Sequence, residues 1–210
     1  MKKMELYQTN RLSSIYINSL PIIRFKGTVI VVNEKKQANR IIQKLNREAI
    51  IGMDTESRPS FSKGISYPPS IIQFATHHTA YLFRLKTIQF PDSLADLLEN
   101  KNIAKIGIGL KDDIQKLQSL RKFQMKNCID LSKIAEKKGI IQVGARALTA
   151  RYLEHRLTKT AQTSNWALPH LTEKQKIYAA TDAWICLQIY PLLIADQLNY
   201  HQMDASIPNP

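Results

Sequence analysis

The sequence has little cysteine. Its two residues, Cys128 and Cys186, lie far apart and show no metal-type spacing. That argues against a thiolate zinc centre and a disulfide scaffold, and it fits a reduced, cytoplasmic setting. Long apolar runs are also missing. The longest, such as Val29-Ile30-Val31-Val32, fall far short of a bilayer's thickness, so no membrane association is expected. The basic start, Met1-Lys2-Lys3-Met4-Glu5, is not followed by an apolar stretch, so no secretory signal is expected. There is no internal repeat and no low-complexity tract. Acidic residues are scarce: 17 Asp and Glu stand against 30 Lys and Arg, for a net charge of +13.

What is present suits one globular domain. The chain has 210 residues, 44% of them apolar and 22% charged, enough for a single core. The basic excess is uneven: residues 101–176 carry 16 basic and 6 acidic side chains, and so hold +10 of the +13. Such a face favours a polyanion, because each phosphate contact releases condensed counterions; a merely solvated surface is the plainer explanation.

Hydrophobic periodicity organises the chain. Residues 1–24 lack clear period and read as a loosely ordered arm. Residues 28–32 read as a strand, 35–46 as a helix with Ala38, Ile41, Ile42 and Leu45 inward, and 49–56 as a buried strand ending in acids. A Ser-, Pro- and Gly-rich loop at 58–69 precedes strands at 71–76 and 80–85. Ser93-Leu-Ala-Asp96 resembles a capping box opening a short helix. Residues 103–110 and 128–130 read as strands, and 113–120 and 132–138 as helices. The pattern is helical from Ala145, and Thr172-Glu-Lys-Gln175 is a second capping box, opening a long helix through Gln188. Interleaved strands and helices imply an α/β domain.

Several acids sit where a core should be. Asp54 and Glu56 follow Ala49-Ile-Ile-Gly-Met53 and share one face of a strand, since strand side chains alternate. Paired carboxylates repel, and a divalent cation removes that cost; two acids reaching water at a strand end is the bland reading. Asp113 stands where a strand gives way to a helix. Its carboxylate can serve a site at the sheet edge or merely suit the helix N-terminus, and Asp112 competes for either task. Tyr178 and Asp182, four apart, share a helix face, with small Ala179 and Ala180 allowing close approach. Each signal is weak alone. Together, in this order, the four acids can meet at one edge and clamp two metal ions for phosphoryl transfer.

At these residues the sequence resembles the DEDDy class of 3′→5′ exonucleases, nearest the branch of ribonuclease D and the Werner-syndrome exonuclease domain. Gly52-Met-Asp54-Thr-Glu56 matches the first motif. Ile106-Gly-Ile-Gly-Leu-Lys-Asp-Asp113 matches the second, with Lys116-Leu117 selecting Asp113 over Asp112. Asn165-Trp166, Leu171 to Gln175 and Tyr178-Ala-Ala-Thr-Asp182-Ala183 match the third, and Pro69-Ser-Ile-Ile-Gln73-Phe-Ala75 resembles the family's second strand. The match covers residues 25–195. The resemblance implies a ribonuclease H-like mixed β-sheet flanked by α-helices, with an exonuclease domain over 25–200 and a tail at 201–210. It implies two Mg²⁺ or Mn²⁺ ions held by Asp54, Glu56, Asp113 and Asp182, a water positioned by Tyr178, and terminal-nucleotide contact at the Thr55 backbone. It further implies release of nucleoside 5′-monophosphates from the 3′ end of DNA or RNA, and leaves room for a protein partner that supplies specificity. A nucleic-acid-binding module that has lost turnover is the alternative.

Other residues receive plainer readings. Trp166 is taken as a packing anchor, with base stacking as the lesser option, and Gln73 as a structural hydrogen-bonding residue. His77-His78 falls in a turn, and His155 and His170 on the surface. Lys111, Lys116, Arg146, Arg151 and Arg156 are candidate phosphate contacts or ordinary solvated charge.

Overall fold

The computed structural model describes residues 10–60, 64, 66–158 and 161–197. Six strands form one mixed sheet in the order β1-β4-β3-β2-β5-β6. They are β1 Thr28–Val32, β2 Ile50–Ser57, β3 Pro69–Ala75, β4 Thr79–Arg84, β5 Ala104–Gly107 and β6 Cys128–Asp130. Strands β2, β3 and β4 form an antiparallel meander; β1 lies parallel to β4, β5 parallel to β2, and β6 parallel to β5. The interleaved α/β architecture expected from the sequence is therefore present.

Helices cover both faces. On one side lie α2 (Lys35–Leu45), α3 (Leu85–Ile88) and α4 (Asp92–Glu99), and also the buried Leu117 of α5 (Lys111–Leu120). Ile41, Ile42, Leu94 and Leu97 of these helices pack there against Ile51, Met53, Phe74 and Phe83 of the sheet. On the other side α8 (Glu173–Ala195) crosses the strands, backed by α6 (Leu131–Lys137) and α7 (Ala145–Leu153). By length and composition α8 could cross a membrane. Here Ala179, Ala180, Ala183 and Ile185 are fully buried in the core, while Leu192 and Ile194 near its C-terminal end are exposed.

Some elements differ from the sequence reading for local reasons. The Thr172 box is real: the Thr172 hydroxyl accepts from the Gln175 backbone and the Gln175 side chain answers to the Thr172 backbone. The Ser93 box is not. Its helix starts at Asp92 behind Pro91, and the Ser93 hydroxyl donates to Asn39 instead. Helix α8 continues past Gln188 through Pro191, whose ring is exposed. The short α3 was missed because it holds only four residues. Both cysteines are free thiols.

The segment read as a loose arm is docked from residue 10 onward. Asn10 donates to the Gly139 carbonyl at 2.7 Å, and Leu12 exchanges two bonds with the Gln142 side chain. Helix α1 (Ser14–Ser19) buries Ile17 beside Leu12 and Ala150, and Ile22 bridges to Arg156. Residues 1–9 of the arm and the 201–210 tail lie outside the described residues.

Candidate active site

Strand β2 is the centre of the site. Flanked by β3 and β5, its Ile51 and Met53 are fully buried toward α2 and α4, while Gly52 turns to α8. A Cβ at Gly52 would lie 2.0 Å from the Ala183 carbonyl oxygen. Only glycine lets the α8 backbone come this close. Alternation then places Asp54 and Glu56 on the Gly52 side, and Asp182 is the helix residue next to Ala183. The result is a cluster: ligand oxygens of Asp54, Glu56 and Asp182 all lie within 4.8 Å of one another.

Asp113 enters from the first turn of α5. Thr55, which points away from Asp54 and Glu56, donates its hydroxyl to Asp113 Oδ1 at 2.6 Å. Asp113 stands outside the group of three, but its charge reaches both Asp54 and Glu56. Asp112 is exposed, whereas Asp113 is half-buried on the Thr55 hydroxyl. Thr55 thus serves both acids, its side chain holding Asp113 and its backbone N–H donating to the Asp54 carboxylate.

The electrostatics follow from enclosure. Burial pushes the Asp54 carboxyl well above its usual range, and the charges of Asp182 and Asp113 push it further. Glu56 is pushed up to about 10, by burial first and then by Asp54, Asp182 and Asp113. Asp182 rises to about 7 by burial, restrained by a hydrogen bond donated by Tyr178. Tyr178 itself is driven upward, so the phenol keeps its proton at any working pH. Such a crowd of acids is unfavourable as four anions and is relieved by protons or by cations. Hard carboxylate oxygens at this spacing suit Mg²⁺ or Mn²⁺.

Two supports were only partly legible in the sequence. Gln73, paired across the ladder with Asp54, donates its amide to Asp54 Oδ2 at 3.2 Å. This matches its reading as a structural hydrogen-bonding residue. Asp130 was not singled out. At the end of β6 it accepts the backbone N–H groups of Gly109 at 2.9 Å, Leu110 at 3.1 Å and Ser132 at 3.0 Å. It thereby fixes the turn that launches α5 and Asp113, and Gly109 supplies the left-handed φ of +72° there. The signal for this residue was the acid that ends the short strand 128–130.

The remaining candidates sort cleanly. Trp166 is fully buried with its ring 6.0 Å from Tyr178, so it anchors packing and no base reaches it. Arg151 is buried and donates to the Asn10 carbonyl; Arg156 donates to Leu20, and Arg146 to Asn18. These three arginines hold the arm. Lys111 is exposed, and Lys116 lies near enough to Asp113 to lower its pKa.

The sequence and the fold have counterparts among known proteins. A family model described as 3′-5′ exonuclease matches residues 29–206. The chain is 33% identical over 192 residues to the mouse bifunctional 3′-5′ exonuclease/ATP-dependent helicase WRN, covering 86% of this chain but only 14% of that protein. The Aedes aegypti Nibbler EXO domain superposes with a TM-score of 0.71 at 23% identity, covering 93% of this chain and 97% of that one. Trypanosoma brucei RNase D, solved in complex with RNA U12, gives a TM-score of 0.73 at 16% identity, covering 89% and 73%. These share the ribonuclease H-like fold expected from the sequence.

Proposed function

This chain belongs to the 3′-5′ exonuclease family, and on that premise we propose that it hydrolyses the terminal phosphodiester at the 3′ end of DNA or RNA and releases nucleoside 5′-monophosphates. The observation that carries this is the group of three carboxylates within 4.8 Å, with Asp113 alongside. Asp54, Glu56 and Asp182 would hold one Mg²⁺ or Mn²⁺ ion, and Asp54 with Asp113 a second. When bound, such ions neutralise developing charge on the phosphate and acidify water.

The chain's own groups do the rest. Tyr178 commits its proton to Asp182, so its oxygen lone pair is free to accept a hydrogen bond from water. A phenol that stays neutral orients the nucleophile and takes no proton from it. The water oxygen forms a bond to phosphorus, the P–O3′ bond breaks, and the penultimate sugar departs with a 3′-hydroxyl. The Thr55 backbone, fixed in β2 between β3 and β5, offers contacts to the last nucleotide.

The test uses 3′- and 5′-labelled single-stranded DNA and RNA with Mg²⁺, with Mn²⁺ and with EDTA, beside Asp54→Ala. Stepwise shortening from the 3′ end that requires metal and vanishes in the variant is the expected result. Salt-sensitive binding without any shortening would replace the enzyme with a binding module.

A further inference from the structure

A cavity of about 310 Å³ opens on the flank of α8, with Tyr178 and Asp182 at one end and Arg24, Thr158 and Lys174 along its walls. A second cavity of similar volume adjoins it. The two share Ile23 and Arg24, and the second adds Lys26, His155 and Trp184. Together they extend from Tyr178 and Asp182 to Lys26, His155 and Trp184, residues to which the proposed chemistry gives no task.

The charge there is available. Arg24, Lys26 and Lys174 are exposed, and none has an ion-pair partner among the described residues. The one further acid on the wall, Glu173, is taken up by Lys176 at 2.7 Å. Arg24 is also held in place. Its neighbours are anchored on both sides, Ile23 N–H on the Arg156 carbonyl at 3.1 Å and Phe25 N–H on the Thr181 hydroxyl at 3.0 Å. The buried Phe25 ring rests 5.7 Å from Trp184. The segment therefore fixes one cation between the two cavities, and Trp184, half-buried, offers an indole to the second. Cations spaced beside an aromatic surface are what a single strand needs: charge for its phosphates and a face for its bases.

We propose that this paired groove is the track for the single strand upstream of the terminal nucleotide. Arg24 and Lys174 meet the phosphates nearest the cleaved bond, and Lys26 and Trp184 meet the next nucleotides. The proposal rests on the exonuclease reading and extends it to substrate length. A dinucleotide has no upstream phosphate and cannot use the track, whereas a ten-nucleotide strand can.

The test compares the intact chain with Arg24→Ala/Lys26→Ala and with Arg24→Lys. Binding of labelled dT10 and U10 is followed by fluorescence anisotropy in Ca²⁺ across a salt series. Cleavage of ten-mers and dinucleotides is followed in Mg²⁺. The double variant should weaken ten-mer binding at least tenfold and flatten the log–log salt slope by about 1.4, near 0.7 for each lost contact to a single strand. It should also lower kcat/KM for ten-mers relative to dinucleotides, while Arg24→Lys keeps the slope. A loss confined to U10 would support the track and assign it to RNA. An unchanged slope and length ratio, or an equal loss on both lengths, would overturn the track and leave the exonuclease reading standing. Binding that depends on Arg24 without cleavage of any substrate would sink the exonuclease reading and keep the track.

Discussion

Asp54, Glu56 and Asp182 are brought together by the fold against their own repulsion, and this has a sign that stability measurements can read. Their folded pKa values are raised, to about 10 for Glu56 and about 7 for Asp182. A raised carboxylate favours the protonated folded state. Its contribution is full below the unfolded value near 4 and is lost as pH climbs through the folded value. The metal-free protein should therefore lose thermal stability between pH 5 and pH 8 by more than an Asp182→Asn variant does, and at pH 8 that variant should melt higher. Mg²⁺ should reverse the loss. At about 100 times Kd it adds about 2.7 kcal/mol, on the order of 5–10 °C for a domain of this size, with a smaller gain at pH 5, where protons compete. Differential scanning fluorimetry across pH, with and without metal, checks this; a metal gain independent of pH would contradict it. Tyr178→Phe makes a second residue-scale prediction. The phenol's hydrogen bond lowers the Asp182 pKa, so its removal should shift the acid limb of the pH–rate profile upward. It should also cut kcat by about ten- to a hundredfold through the lost water contact, a modest share of what positioned proton-handling groups supply.

At the scale of elements, the site depends on how closely α8 lies on β2. The Gly52 contact involves helix backbone, so a methyl there cannot be accommodated by a rotamer change. Gly52→Ala should lift α8 and carry Asp182 and Tyr178 away from Asp54. Overpacking of this kind costs roughly 1–3 kcal/mol, and a displacement near 1 Å can cost about a hundredfold in rate. The expected result is a folded but destabilised protein, with weaker metal binding and at least a tenfold loss in kcat; unchanged metal affinity by calorimetry would refute it. This contact shows where sequence reading succeeds and where it stops. Asp54 and Glu56 stood out because acids interrupt an apolar strand, and Tyr178 and Asp182 because of their four-residue spacing. Period and spacing are local properties and survive in one dimension. Gly52 was visible only as part of a motif, and Asp130 only as the last residue of a short strand, because their work lies in what approaches them across the sheet. Trp166 was correctly taken as a packing anchor. Ser93 misled because Pro91 already caps the helix, two residues before the cap that Ser93 would have made.

At the scale of the whole molecule, the N-terminal segment decides whether the groove beside α8 exists. It was expected to be loose because its sequence has no period, yet from residue 10 it is held by side chains of α7 and of the loops on either side. Period reports amphipathic elements, and this segment is held instead by polar contacts: Asn10 to Gly139 and Ile141, Leu12 to Gln142, and Arg151 and Arg156 to its carbonyls. Arg151 is the most buried of these cations, at 7% exposure. Replacing it removes a charged donor and leaves polar groups that must find water, a cost of about 1–3 kcal/mol per buried group. Arg151→Met, which keeps much of the volume, should lower Tm by about 2–12 °C, taking roughly 2–4 °C for each kcal/mol. More tellingly, it should release the strap. Arg11 and Arg24 lie within a docked segment, so brief trypsin treatment should spare both in the native chain and cut both in the variant, with mass spectrometry locating the cleavages. Loss of the strap would then carry Arg24 off the flank of α8 while the acid cluster, built from β2, α5 and α8, stays assembled. If the native chain were cut at Arg24 as fast as the variant, the segment would not be the fixed wall that its hydrogen bonds describe.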